Sequence, residues 1–282
     1  CDTKEADLLT GSYSSRGSTV SQLCRYCLCP TQETDDVTAK FPPKTVGMIR
    51  KLVDKNDRAA LKALSQHPID NACHQIRFGL HNNHGVHGSC PFEMLHALLL
   101  GIFKYTRDSF FTLLGKDSTA AEEINGLIAL YSEFYSHQSD RDMPKTNFGS
   151  GIQQGKLTAK EYTGVMLLIA TVLFSNKGHE ILTSGRRSHF GQNDGVTEWT
   201  ILVETLLMWE EWLKSDEMDV KDVERAERKH RYIMYLLRKV APRGEGMGWK
   251  IIKFHSITHM ADDINFFGVP SNVDTESDEA GH

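Results

Sequence analysis

Two pairs of residues more than two hundred positions apart carry metal-binding chemistry. Near the start stands Cys24-Arg25-Tyr26-Cys27, and near the end His255-Ser256-Ile257-Thr258-His259. A CxxC turn puts two thiols on one side of a tight bend. Histidines at i and i+4 of a helix leave the same face, with Cβ atoms roughly 5–6 Å apart. Taken alone, the first pair also fits a buried thiol pair and the second a solvated helix face. Together they make the Cys₂His₂ set that Zn²⁺ favours. A metal joining them would close everything between into a module. Cys29 adds a third thiol, either a further ligand or a spare.

The rest of the cysteine pattern agrees with metal and reduced thiols. Three of the six cysteines crowd into Cys24–Cys29 and the others are scattered, which is poor arithmetic for a disulfide framework. With 282 residues, 40% hydrophobic and 24% charged, the chain is a globular protein large enough for one or two cores. Its net charge is −5, so any nucleic-acid contact must come from a local basic patch. One stretch qualifies: residues 221–253 hold ten Lys and Arg against four Asp and Glu. Arg225, Arg228, Lys229 and Arg231 cluster there, and Arg186-Arg187 lies in a glycine-flanked loop. The commoner meaning of such a run is a solvated helix; the sharper one is a phosphate-contacting face. No signal peptide is visible, and the longest apolar run, Val165 to Phe174, is half of the roughly 20 residues a membrane span needs. No membrane partner is expected. The first residue is not Met and the chain stops abruptly at His282, so it is expected to be part of a longer protein.

The elements that must position these residues read as mainly α. A strand end, a glycine-bearing loop and the CxxC turn are expected over the first thirty residues. Thr31 to Lys44, with Pro42-Pro43, reads as a linker. From Thr45 the apolar spacing is helical: Val46, Ile49, Leu52 and Val53 share a face. An irregular loop over 70–91 gathers Cys73, His74, His81, His84, His87 and Cys90. Pro91 stands at the start of an apolar helix over 92–114, on which His96 reads as a core histidine facing inward. Further helices are predicted over 118–136, 158–174, 197–214 and 220–240. Thr158 and Glu161 form a capping box. Glycine loops at 149–151, Gly178 and 185–195 separate these helices, and a last helix from about Trp249 carries the histidine pair.

The ordered motifs resemble a known family. Asp2, Gly11-x-Tyr-x-Ser-Arg16, Cys24-Arg-x-Cys27, Met94-Leu-His96 with Gly101 and Lys104, and Lys253-Phe-His255-x-x-x-His259 come in that order. Phe267-Gly-x-Pro270 and Asp274-Thr-Glu276-x-x-Glu279 follow. The whole set is similar to eukaryotic cut-and-paste DNA transposases of the CACTA/Mirage/Chapaev group, most of all its Plavaka-type members. The resemblance implies an RNase H-like α/β core carrying a DDE triad, interrupted by a large all-helical insertion. Boundaries follow: 1–30, part of the core with the zinc knuckle; 31–250, the insertion; 251–282, the zinc-ligand helix and the return to the core.

Carried over, Asp2 matches the second acid of the triad and Glu276 or Glu279 the last, with Glu276 preferred at the start of its helix. The first acid lies upstream, so the chain alone is expected to be inactive. Cys24, Cys27, His255 and His259 match a structural Zn²⁺ set. The implied chemistry is two-Mg²⁺ DNA cleavage and strand transfer, in a nuclear protein that acts on transposon ends as a homo-oligomer. The competing expectation is a non-catalytic, zinc-stabilised helical remnant that binds DNA or protein.

Overall fold

The computed structural model describes residues 3–14, 20–76, 84–115, 118–135, 152, 157–184, 190 and 194–273. Among them the fold is helical and contains no β-strand; pairing is limited to two isolated bridges, Ser12 with Gln66 and Cys27 with Pro43. No single helix among these residues is long and apolar enough to cross a membrane.

The chain forms two compact units. The first comprises Cys1–Ala97, Asp216–Met234 and Glu245–His282; the second Leu98–Ser215 and Tyr235–Gly244. Residues 31–97, assigned to the insertion by sequence, thus pack with both cysteine- and histidine-bearing segments.

In the first unit, α1 (Thr3–Thr10) stands where a strand end was expected. Its Lys-Glu-Ala-Asp-Leu-Leu run has no β-branched residue and good helix formers. Ala6, Asp7 and Thr10, three and four apart, are its buried face. Helices α2 (Val46–Asp54) and α3 (Arg58–Ala63) follow, capped by the side chains of Thr45 and Asp57. Within the segment 70–91 the described residues form 3₁₀ turns at Ala72–Gln75 and Gly85–Gly88; residues 77–83 lie outside the described residues. Gly85 sits at φ +55° with Val46 Cγ2 only 2.5 Å from where a Cβ would be, so this turn approaches α2 as only glycine permits. The supposed linker is built in: Leu28 N donates to Pro42 O (2.9 Å) and Lys44 N to Tyr26 O (2.8 Å).

The segment 92–114 is helical in two registers. Met94–Phe103 is π-helix and continues as α4 (Lys104–Leu114). The second unit is built on α4, α5 (Thr119–Tyr135), α6 (Ala159–Phe174), α7 (Asn176–Thr183) and α8 (Gly195–Leu213). α6 packs against α4, α5, α7 and α8. Its Val165, Leu168, Ile169 and Val172 are fully buried. Phe110 meets Phe190 and Trp199 edge to face, with Phe190 tilted against Trp199 and centroids 5.2–5.9 Å apart. Gly178, read as a loop residue, lies in α7. A Cβ there would fall 2.0 Å from the Val172 carbonyl, so the glycine permits the sharp turn from α6 into α7.

α9 (Val220–Val240) runs from the first unit into the second. α10 (Ile252–His255), a 3₁₀ turn (Ser256–His259) and α11 (Met260–Phe267) close the first unit.

Candidate metal centre

The CxxC turn and the histidine pair meet. The ligand atoms of Cys24, Cys27, His255 and His259 all lie within 4.8 Å of one another. Cys24 Sγ is 3.4 Å from His259 Nε2, and Cys27 Sγ is 3.2 Å from His255 Nε2. With metal–sulfur bonds of about 2.3 Å and metal–nitrogen bonds of about 2.05 Å, a tetrahedron has S···N edges of about 3.6 Å. The donor set, its soft and borderline chemistry and its spacing therefore fit one tetrahedral ion such as zinc.

Local structure presents each ligand. The Tyr26 and Cys27 amides point at Cys24 Sγ (3.3 and 3.4 Å), an arrangement that favours a thiolate. His255 ends α10 and His259 ends the 3₁₀ turn, so the one-helix spacing expected from sequence survives a change of helix type. Cys24, Cys27 and His255 are almost fully buried. Aromatic rings wall the cluster: Tyr26 lies 4.4 Å from His259, and Phe41 lies 6.2 Å from His255. Burial opposes charge on Cys24. The Cys27 hydrogen bond and the His259 and His255 charges outweigh it, holding the Cys24 thiol well below its usual range. Cys27 shifts upward, first through its hydrogen bond to Cys24 and then through burial. His259 is disfavoured as a cation by burial, but the Cys24 thiolate beside it raises it. A divalent ion binds thiolates and neutral imidazoles, so its binding to this cluster would release protons.

Cys29 is not a ligand. It is fully buried, and its Sγ faces the Pro30 carbonyl at 3.3 Å. It packs with Cys24 and Cys27 under Tyr26, Phe41 and Ile252.

Lys44, which sequence reasoning left in the linker, is fully buried behind the turn. Its Nζ donates to the carbonyls of Cys24 (2.9 Å) and Leu64 (3.3 Å). Burial pushes it down to about 8, against the pull of Cys24, Cys27 and Asp7. Its signal in the sequence was slight: a lysine directly after Pro42-Pro43, where two residues without an N–H fix the chain's direction.

His96 faces a cleft beside the cluster, lined also by Cys24, Arg25, Glu93, Lys253 and His259. It is a partly exposed wall residue, not the inward core histidine expected. Glu93 orients it. One carboxylate accepts the Leu95 and His96 amides (2.7 and 2.8 Å) and the His96 Nδ1 contact (2.8 Å). The same carboxylate caps the π-helix. Asp263 Oδ2 accepts from Phe92 N at 2.7 Å, joining α11 to the residues before that helix. The motif segments around Cys24, His96 and Lys253 thus share one cleft.

Arg225, Arg228 and Lys229 are exposed on α9. Arg231 is half-buried and occupied: it pairs with Glu227 (3.1 Å) and donates to the Val37 carbonyl. Asp2, Arg186, Arg187, Glu276 and Glu279 lie outside the described residues.

Comparison with protein-family models, with curated proteins and with solved structures found no match to this chain.

Proposed function

We propose that Cys24, Cys27, His255 and His259 bind one structural Zn²⁺, and that the chain is the zinc-closed helical part of a nuclear cut-and-paste DNA transposase. The observation that supports this reading is the meeting of the two ends: residues 24–27 and 255–259, quoted as separate motifs of that family, form one four-ligand cluster. Four protein ligands leave no open position for a reacting water, so this metal is a staple and not the catalyst.

In this reading the ends brought together by the staple return the chain to an RNase H-like core. There Asp2 and one of Glu276 and Glu279 supply two of three acids. Carboxylates are the hard oxygen donors that Mg²⁺ requires. Two such ions, when bound, activate the attacking hydroxyl and stabilise the leaving oxygen. The exposed cations of α9, with Arg186 and Arg187, hold the phosphate backbone of the transposon end. The decisive experiment joins this chain to its upstream coding sequence and assays Mg²⁺-dependent DNA cleavage. Loss of cleavage in Asp2→Ala and in one of Glu276→Gln and Glu279→Gln, with zinc retained, is expected. Undiminished cleavage in Asp2→Ala overturns the catalytic assignment.

One observation favours the second reading, a zinc-stabilised binding module: among the described residues every regular element is a helix or turn. Specific DNA binding without cleavage by the joined protein would select it.

A further inference from the structure

The first part of α9 has two opposite faces. Val223, Ala226, His230, Ile233 and Met234 are buried. Turned by 100° per residue, Lys221, Arg225, Arg228 and Tyr232 form a stripe on the other side, at i, i+4, i+7 and i+11. All four are exposed, Tyr232 at 50%. Lys229 is exposed beside them, and the exposed acid alongside is Glu224. Glu227 is neutralised by Lys40 (2.8 Å) and by Arg231, which leaves the stripe its positive charge. The arginine nearest Tyr232 in sequence, Arg231, is turned away to hold the Val37 carbonyl. What remains outward is a row of cations ending in an aromatic ring.

This row suits a polyanion that also offers a flat apolar face. A duplex hides the faces of its bases in the stack, whereas a single strand exposes them, and aromatic stacking then adds to phosphate contact. We propose that this face of α9 binds single-stranded DNA, with Lys221, Arg225 and Arg228 on backbone phosphates and the Tyr232 ring stacked on an unpaired base. The proposal rests on the DNA-binding reading above and goes further, since it names the strand state and a residue outside the basic cluster.

The test uses the full metal-loaded chain and a labelled 20-nucleotide oligothymidine, a duplex of equal length and polyglutamate, with anisotropy read at several salt concentrations. The single strand is expected to bind more tightly than the duplex. Tyr232→Ala should weaken single-strand binding about tenfold, within the range for loss of one stacked base. Tyr232→Phe should restore it, and duplex binding should not change. The triple variant Lys221→Gln, Arg225→Gln, Arg228→Gln should weaken both and flatten the single-strand salt slope by about 2. All these positions are exposed, so unchanged helicity and zinc content will show that the variants fold. Single-strand binding indifferent to Tyr232→Ala but reduced by the triple variant overturns the stacking inference and leaves the DNA reading intact. A duplex preference, or polyglutamate bound as well as DNA, also overturns it. Binding to neither nucleic acid removes both.

Discussion

The two units are held together in different ways. The second is a set of long helices held by mutual burial: Trp199, Phe110, Leu168 and Leu206 have no measurable exposure, and α6 touches four other helices of its unit. The first has mostly short helices and 3₁₀ turns; beside apolar side chains such as Ile49, Leu61 and Phe254 it buries a cluster of three thiols, Cys24, Cys27 and Cys29. Its pieces come from three separate stretches of chain. Burial of small thiols yields little, since stabilisation scales with apolar area, and joining distant stretches costs closure entropy. A metal held by the Cys/His cluster would add a cross-link between these stretches. The difference is that the Cys/His cluster lies in the unit assembled from short elements and distant stretches of chain.

Removing the metal should separate the units most strongly. Structural zinc contributes on the order of 10 kcal/mol in small zinc domains. A strong chelator, or Cys27→Ser, should therefore unfold the first unit and leave the second folded. Calorimetry of the metal-free chain is expected to show one retained transition and lost hydrogen-exchange protection over residues 20–76 and 245–273. A single, unshifted transition would show that the cluster is dispensable.

The reverse experiment is Trp199→Ala. Truncating a fully buried aromatic residue costs about 3–5 kcal/mol. Denaturant unfolding should show that loss in the second unit, with metal content unchanged; loss of zinc in this variant would break the distinction between the units.

Acid should act on the first unit through His230 as well. Burial, with the nearby Lys229 charge, depresses it from 6.5 to about 4. The folded state thus holds it neutral while the unfolded chain protonates it. Its contribution is fully present above about pH 6.5 and is lost as pH falls towards 4, a total of about 3 kcal/mol. Melting temperature measured from pH 7.5 to 4.5 should fall less steeply in His230→Leu than in the wild type. Parallel curves would refute the assignment.

The smallest expected effect is local. Gly178→Ala forces a Cβ against the Val172 carbonyl and should cost about 1–3 kcal/mol. Urea midpoints will read this as a shift confined to the second unit; a stabilised variant would mean that the turn from α6 to α7 relaxes freely.

The second unit was the more legible in sequence because its signals are periodic and local. α5, α6 and α8 fall within two residues of the boundaries read from apolar spacing, and Thr158 N donates to Glu161 Oε2 at 2.5 Å as the capping box requires. What failed there was a glycine read by type alone: Gly178 marks a tight approach inside a helical pair, not a loop. In the first unit the four cluster residues were legible only from the two spacings taken together, since each pair alone also fits a structural role. Their surroundings were not. A strand was expected before α1 from a role assigned to Asp2 and not from the helix-forming residues that follow. Lys44 is a tertiary fact: Pro42-Pro43 fix only the direction of the chain and do not say that its amine will be buried against the Cys24 carbonyl. His96 was judged by the apolar residues around it, whereas Glu93, three residues earlier, turns it into a cleft wall.

The account depends most on one metal joining residues 24–27 to 255–259. X-ray absorption at the zinc edge on the purified, metal-loaded chain tests this directly. The predicted shell is two sulfurs at about 2.3 Å and two imidazole nitrogens at about 2.0–2.1 Å, at one zinc per chain. It should be lost in Cys24→Ser and in His259→Ala. A shell of oxygens and nitrogens without sulfur, or full zinc content in both variants, would contradict it.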